Sequence, residues 1–79
     1  MITPTIGRVV WFWPAPENKD TPVSEKPFAA IIAYVWGERM VNLIAFDHNG
    51  NPEPHTSVTL LQDSDQKPSL GYCAEWPMK

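Results

Sequence analysis

The side chains best suited to chemistry in this 79-residue chain are its one cysteine and its two histidines. Cys73 could act as a nucleophile if folding placed His48 or His55 beside it as a base. A simpler interpretation competes with this one, because a lone strand cysteine is usually a small buried hydrophobe. The sequence also contains no Gly-rich phosphate loop, no nucleophile elbow and no paired-carboxylate pattern. We therefore predict that the chain is not an enzyme.

Residue types that bind metal ions are concentrated in one polar segment, but their spacing does not fit a metal site. Oxygen-bearing side chains alternate from Asp47 onward, as at the start of a calcium loop. Pro52 and Val58 then occupy the positions at which such a loop requires glycine and glutamate. His48 and His55 lie seven residues apart, without the close spacing of structural zinc ligands. The sequence predicts a polar turn at this segment and no metal or other cofactor.

Aromatic side chains are the most informative candidates for binding. The four tryptophans could form a stacking platform for a nucleotide-like ligand, with two arginines as a fork for phosphates. The competing interpretation is that they are structural residues of a small core. A net charge of −3 and six scattered basic residues disfavour nucleic acid as a partner. The candidate binding residues are Trp11, Trp13, Tyr34, Trp36 and Trp76, with Arg8 and Arg39 as polar partners.

These residues fall on short apolar segments separated by turn-forming residues, which is the pattern of strands. Two β-branched and aromatic segments flank Gly37-Glu38-Arg39 and predict a tight central hairpin. Nine prolines argue against long helices. We expect one all-β domain over 1–79, a small five-stranded antiparallel SH3-like barrel with a long Pro-rich loop, Pro14–Pro27, after the first strand. The predicted strands are Ile6–Trp13, Phe28–Trp36, Met40–Phe46, Thr56–Leu61 and Leu70–Trp76.

The central strand is apolar on both of its faces, although a small barrel has only one interior. Alternation assigns Phe28, Ala30, Ile32, Tyr34 and Trp36 to one face and leaves alanine, isoleucine and valine on the other. Either the Pro-rich loop and the N-terminal segment fold over the second face, or it is an exposed patch for a partner, a flat ligand or another copy of the chain.

Several features of the composition predict where the protein works. No segment approaches the roughly 20 apolar residues of a membrane-spanning helix. The N-terminus, MITPTIGR, lacks the basic start and apolar centre of a secretory signal. One cysteine permits no internal disulfide, which fits a reducing cytoplasm better than secretion.

The chain resembles a group of short proteins encoded by tailed bacteriophages, most of which have no assigned function. The resemblance spans most of the chain and rests on Ile6-Gly7-Arg8-Val9-Val10, Ala29-Ala30-Ile31-Ile32, Val41-Asn42-Leu43 with Phe46 and Gly50, and Trp76-Pro77. It implies a five-stranded SH3-like barrel. The last segment, Gly71–Pro77, departs from the aromatic-x-Trp-Pro ending of the group, and no catalytic residues carry over.

Together these features lead us to expect a non-catalytic phage protein that acts in the host cytoplasm or in the virion. It would bind and block a host or defence protein, or sequester a small nucleotide-like ligand, through its aromatic surface. The alternatives are a virion-associated or homo-oligomeric structural protein and a weak nucleic-acid-binding barrel. We expect no membrane partner in any of these cases.

Overall fold

The computed structural model describes residues 1–14, 27–66 and 71–77. Within these residues the fold is all-β, as predicted, and five strands close into a barrel in the order β1-β2-β3-β4-β5. No helix is present in the described ranges. The strands are β1 Val9–Trp13, β2 Phe28–Gly37, β3 Met40–Phe46, β4 Pro52–Leu61 and β5 Cys73–Glu75.

Each strand pairs antiparallel with its neighbour, with one exception at the closure of the barrel. β5 pairs antiparallel with β1 but parallel with β4, where Thr59 lies opposite Cys73 and Leu61 opposite Glu75. The prediction of a wholly antiparallel barrel is therefore wrong for this pair. The cause is the odd number of strands: directions alternate between antiparallel neighbours, so a closed ring of five strands must contain one parallel pair.

Two predicted strands are shorter in the structure and two are longer, β2 by Gly37 alone. Ile6 and Gly7 form a turn before β1 because Gly7 has a φ of +92°, outside the range of a strand. Gly71, with a φ of +83°, likewise precedes β5, and Leu70 lies outside the described residues. β4 begins at Pro52 rather than Thr56.

Prolines are tolerated in this first half of β4 because, within the described residues, it pairs with β3 alone. Its pairing with β5 starts only at Thr59. The first half is thus a sheet edge on its other side, where a residue without an N–H group leaves no ladder donor missing.

The core is built from inward-facing residues of every strand. Val10, Ala30, Val41, Ala45 and Val58 have no exposed surface, and Phe12, Ile32 and Leu43 are almost fully covered. Small alanines facing larger side chains let the strands of a narrow barrel pack closely. Most of the predicted Pro14–Pro27 loop, residues 15–26, lies outside the described residues.

Candidate functional site

The outward side chains of β1, β2 and β3 form one continuous apolar surface, which we call the outer face. Cross-strand pairing aligns them in rows: Val9 lies opposite Ile31, and Ile31 lies opposite Ile44. A second row joins Trp11 to Ala29 and Ala29 to Phe46. Paired residues point to the same side of a sheet, so these rows are adjacent on the surface. The outer face comprises Val9, Trp11, Ala29, Ile31, Tyr34, Trp36, Met40, Ile44 and Phe46.

Large side chains on the outer face are unusually open to solvent. The exposed fractions are 61% for Trp36, 54% for Val9 and 48% for Tyr34. None of the nine residues is charged, and Asn42 is the one polar side chain between them on β3. An exposed apolar surface without charges is a property of binding surfaces rather than of ordinary solvated sheet faces.

The first of two β-bulges in β2 places Tyr34 and Trp36 on this face. Ala33 is inserted between Ile32 and Tyr34, and a second register shift follows Val35. Each extra residue reverses the inward and outward alternation. Val35 consequently packs against the core. The predicted face containing Phe28, Ala30, Ile32, Tyr34 and Trp36 together is therefore wrong: the first three are buried and the last two are exposed.

Trp36 is held in a fixed orientation although it is exposed. Its indole Nε1 donates to Oδ1 of Asn42 at 2.9 Å, and the same oxygen accepts the backbone N–H of Ser57 at 2.8 Å. The ring of Tyr34 meets the indole edge to face, with centroids 4.8 Å apart and planes at 70°. Because its one polar atom is already bonded, Trp36 presents ring surface and no free donor.

Trp11 and Trp13, the tryptophans of β1, are half-buried and lie close to β5. Trp11 pairs with Glu75 across the closing ladder, and Trp13 Nε1 donates to Oε2 of Glu75. Trp11 is the outer-face residue next to β5, and both indoles lie beside the Glu75 carboxylate. Trp11 therefore shares the outer face with Tyr34 and Trp36, but other residues of that face lie between them.

The fourth tryptophan has a structural role at one end of the barrel. Trp76 packs against the core, and its Nε1 donates to Oε1 of buried Gln62 at 3.0 Å. The guanidinium carbon of Arg8 lies 4.9 Å from the centroid of the Trp76 ring, which is a cation–π distance. Trp76 and Arg8 therefore form an intramolecular cation–π pair.

Arg39 is also paired. Its Nε lies 2.9 Å from Oδ2 of Asp65. This contact raises the pKa of Arg39 and lowers the pKa of Asp65, which also accepts the backbone N–H of Gln62. The two arginines predicted to serve a phosphate therefore each have a partner within the chain.

A groove of about 360 Å³ opens at the same end of the barrel. Its lining includes the apolar residues Ile2 and Leu61 and the carboxylates Asp63, Asp65 and Glu75. Three carboxylates oppose the entry of a phosphate. A nucleotide-like ligand is disfavoured at this groove for that reason.

Two candidates for catalysis and metal binding, Cys73 and His55, pack against neighbouring residues of the barrel. Cys73 is 2% exposed. His55 stacks on Phe12, with ring centroids 4.4 Å apart, and contacts Tyr72 at 5.0 Å. Its Nε2 lies 3.7 Å from Oε2 of Glu53. Among the described residues, no cluster of three or more histidine, cysteine or acidic side chains could hold a metal ion.

The segment that resembles the start of a calcium loop is a tight turn. The carboxylate of Asp47 accepts hydrogen bonds from other residues of this turn. Oδ1 of Asp47 accepts the backbone N–H groups of Asn49 and Asn51, each at 2.9 Å, and Oδ2 accepts the side chain of Asn51 at 3.1 Å. Gly50, with a φ of +85°, donates its backbone N–H to the carbonyl of Asp47 at 2.8 Å. The polar turn predicted for this segment is confirmed.

Sequence reasoning missed three residues that organise these contacts: Asn42, Ser57 and Gln62. Asn42 has a visible signal, because it is the single polar residue in the apolar segment from Val41 to Phe46. Ser57 and Gln62 have none, because their roles depend on a bulge and on the closure of the barrel.

Searches for similar proteins give no match: no family model fits the chain, and no curated protein or solved structure resembles it. In the described part of the chain, none of the regular elements is a helix long and apolar enough to cross a membrane.

Proposed function

We propose that this chain is a non-catalytic binding protein that acts by covering part of another protein with its outer face. The observation that carries the proposal is the exposed but fixed indole of Trp36, which is 61% exposed and bonded to Asn42. A large rigid aromatic side chain binds with little loss of conformational entropy. Such residues dominate the binding energy of protein interfaces.

A protein partner fits the outer face better than a nucleotide does. Phosphate recognition needs available cations, and in the part of the chain that the structure describes Arg8 lies on Trp76 and Arg39 is paired with Asp65. The outer face itself contributes no charged side chain. Uncharged surface with an aromatic anchor matches the apolar centre of a protein interface.

The biological setting that we propose follows the resemblance to short phage proteins. The protein would be an SH3-like barrel in the cytoplasm of an infected host, where it binds a host or defence protein and blocks it. The absence of a Gly-rich loop or nucleophile elbow in the sequence supports action by occupation rather than by catalysis.

The test is quantitative capture from a bacterial lysate by the immobilised protein and three variants. Trp36→Ala removes the aromatic anchor, and Ile31→Glu places a charge at the centre of the outer face. His48→Ala is the matched control because His48 is exposed in the β3–β4 turn and is not one of the nine outer-face residues. A hot-spot residue contributes about 2 kcal/mol or more, so each of the first two variants should reduce capture by at least about tenfold.

Near-UV circular dichroism of each variant establishes that the barrel is intact before capture is compared. A protein retained by the wild type and by His48→Ala, but lost from both outer-face variants, supports the proposal. Equal capture by all four proteins, or no specific capture by the wild type, overturns it.

A further inference from the structure

We infer that a second copy of this chain covers the outer face when no other partner is bound, which makes the free protein a symmetric dimer. The inference rests on the proposed function, since it names an occupant of the same surface. It follows from the distribution of charge, from the area of the outer face and from its strand register.

The charge distribution of the chain allows a second copy to bind at the outer face. The chain has a net charge of −3, so two copies repel each other through most orientations. A two-fold interface brings identical patches together, and any charge on such a patch would lie near its own copy. The outer face is a patch of three adjacent strands without charged side chains, so its self-contact has no such cost.

The area of the outer face is near the lower end of what a specific dimer requires. Its side chains expose on the order of 600 Å² of surface, judged from their exposed fractions and from the size of aromatic side chains. A standard interface buries about 800 Å² on each partner. This comparison predicts reversible association, which a competing partner protein can displace.

The regular strand register of the outer face suits packing of one sheet on another. Val9, Ile31 and Ile44 form a row across three strands with no bulge at these positions. Two such sections can pack face to face at about 10 Å, as in a β-sandwich. Ile31 lies in the middle of the row. In a two-fold dimer each substitution is present on both copies, so a charge at Ile31 would enter the interface twice.

The experiment is sedimentation velocity of the full chain, without any lysate, from about 1 μM to about 1 mM, the range of weak to moderate affinities. Ile31→Glu introduces two facing negative charges into the dimer, and Ser64→Glu adds the same charge in an exposed turn outside the outer face. We expect the wild type and Ser64→Glu to dimerise with rising concentration. Ile31→Glu should remain monomeric, its dissociation constant raised at least about a hundredfold.

Ile31 is 38% exposed and points outward, so Ile31→Glu is expected to fold, and circular dichroism tests this. Trp36→Ala provides a second variant that adds no charge and should weaken the dimer. A wild type that stays monomeric throughout, or an Ile31→Glu protein that dimerises like the wild type, overturns the inference.

Failure of the dimer and failure of the proposed function give different results. A monomeric wild type whose lysate partner is lost in Ile31→Glu overturns the dimer and leaves the binding function standing. A dimer abolished by Ile31→Glu while lysate capture is unchanged confirms the second copy and overturns the binding function.

Discussion

Gln62 is the buried polar residue on which one end of the barrel depends. It is 1% exposed, and its amide nitrogen donates to the carbonyls of Ile2 and Glu38, each at 2.8 Å. Its Oε1 accepts the backbone N–H of Ile2 at 3.2 Å and the indole N–H of Trp76 at 3.0 Å. One amide therefore satisfies four groups from three separate segments, all of which lose a partner together if it is removed.

We predict that Gln62→Leu lowers the free energy of unfolding by about 2–3 kcal/mol, because buried donors and acceptors lose their partners while the volume of the side chain is kept. Gln66→Leu is the matched control, since Gln66 is exposed. Urea unfolding of the two variants and the wild type measures the difference. Equal stability of Gln62→Leu and Gln66→Leu would contradict the role assigned to Gln62.

Asp47 links the stability of the β3–β4 turn to pH. The backbone and side-chain donors of Asn51, followed by the backbone N–H of Asn49, lower the pKa of Asp47 from its ordinary value of 3.8. A carboxyl group whose pKa is lower in the folded state stabilises the fold above its unfolded pKa. That contribution disappears as the pH falls through the folded pKa. The pKa of Asp65 is lowered in the same way by Arg39 and by the N–H of Gln62.

We predict that Asp47→Asn flattens the acid side of the stability profile, because asparagine keeps an acceptor but does not titrate. Asp65→Asn should do the same independently, and the double variant should be the flattest, since distant sites act additively. Urea unfolding between about pH 2 and pH 6 measures the profile. A wild-type slope retained in the double variant would show that other groups control acid unfolding.

At the scale of the strands, bulges decide which residues form the candidate site. β2 is apolar on both faces and has register shifts at Ala33 and after Val35. As a result, the even-numbered residues up to Ile32 face the core, whereas Tyr34 and Trp36 face outward. A third irregularity lies between Val41 and Leu43, where β4 has one residue more than β3. Ser57 lies in this bulge with a φ of +54°.

The sequence predicts the strands well because they consist of β-branched and aromatic residues bounded by turn residues. Met40–Phe46 is predicted to the residue, and the β2–β3 hairpin is present. It also predicts an excess of apolar strand surface and names Tyr34 and Trp36. The face on which they lie was not predictable, because a bulge such as that at Ala33 depends on pairing with a distant strand rather than on local composition.

We predict that Ser57→Gly raises the free energy of unfolding by up to about 1 kcal/mol, because a left-handed backbone is unfavourable for a residue with a Cβ atom. Ser57→Val should lower it by a similar amount or more, since β-branching makes this conformation worse. Both variants keep the backbone N–H that Asn42 accepts. Chemical unfolding of the pair measures the difference, and a Ser57→Gly protein less stable than Ser57→Val would contradict the assigned strain.

At the scale of the whole molecule, the barrel is closed by its shortest strand. β5 has three residues, with three pairs to β1 and three to β4, whereas β2 and β3 share a ladder of seven aligned pairs. Short ladders open at lower free energy than the fold as a whole. Cys73 and Ala74 lie in this strand, 2% and 0% exposed, so the thiol becomes accessible only when the closure opens.

We predict that an aromatic disulfide reagent modifies Cys73 by opening of the β5 closure rather than by complete unfolding. The labelling rate should exceed the rate calculated from global stability by at least about tenfold and respond weakly to low urea. Ala74→Gly should accelerate labelling, because it weakens β5 directly. Ala45→Gly, at an equally buried position in β3, should lower global stability and leave the labelling rate nearly unchanged in the absence of urea. Equal acceleration by both variants would show that the barrel opens as one unit and that β5 is not its weakest strand.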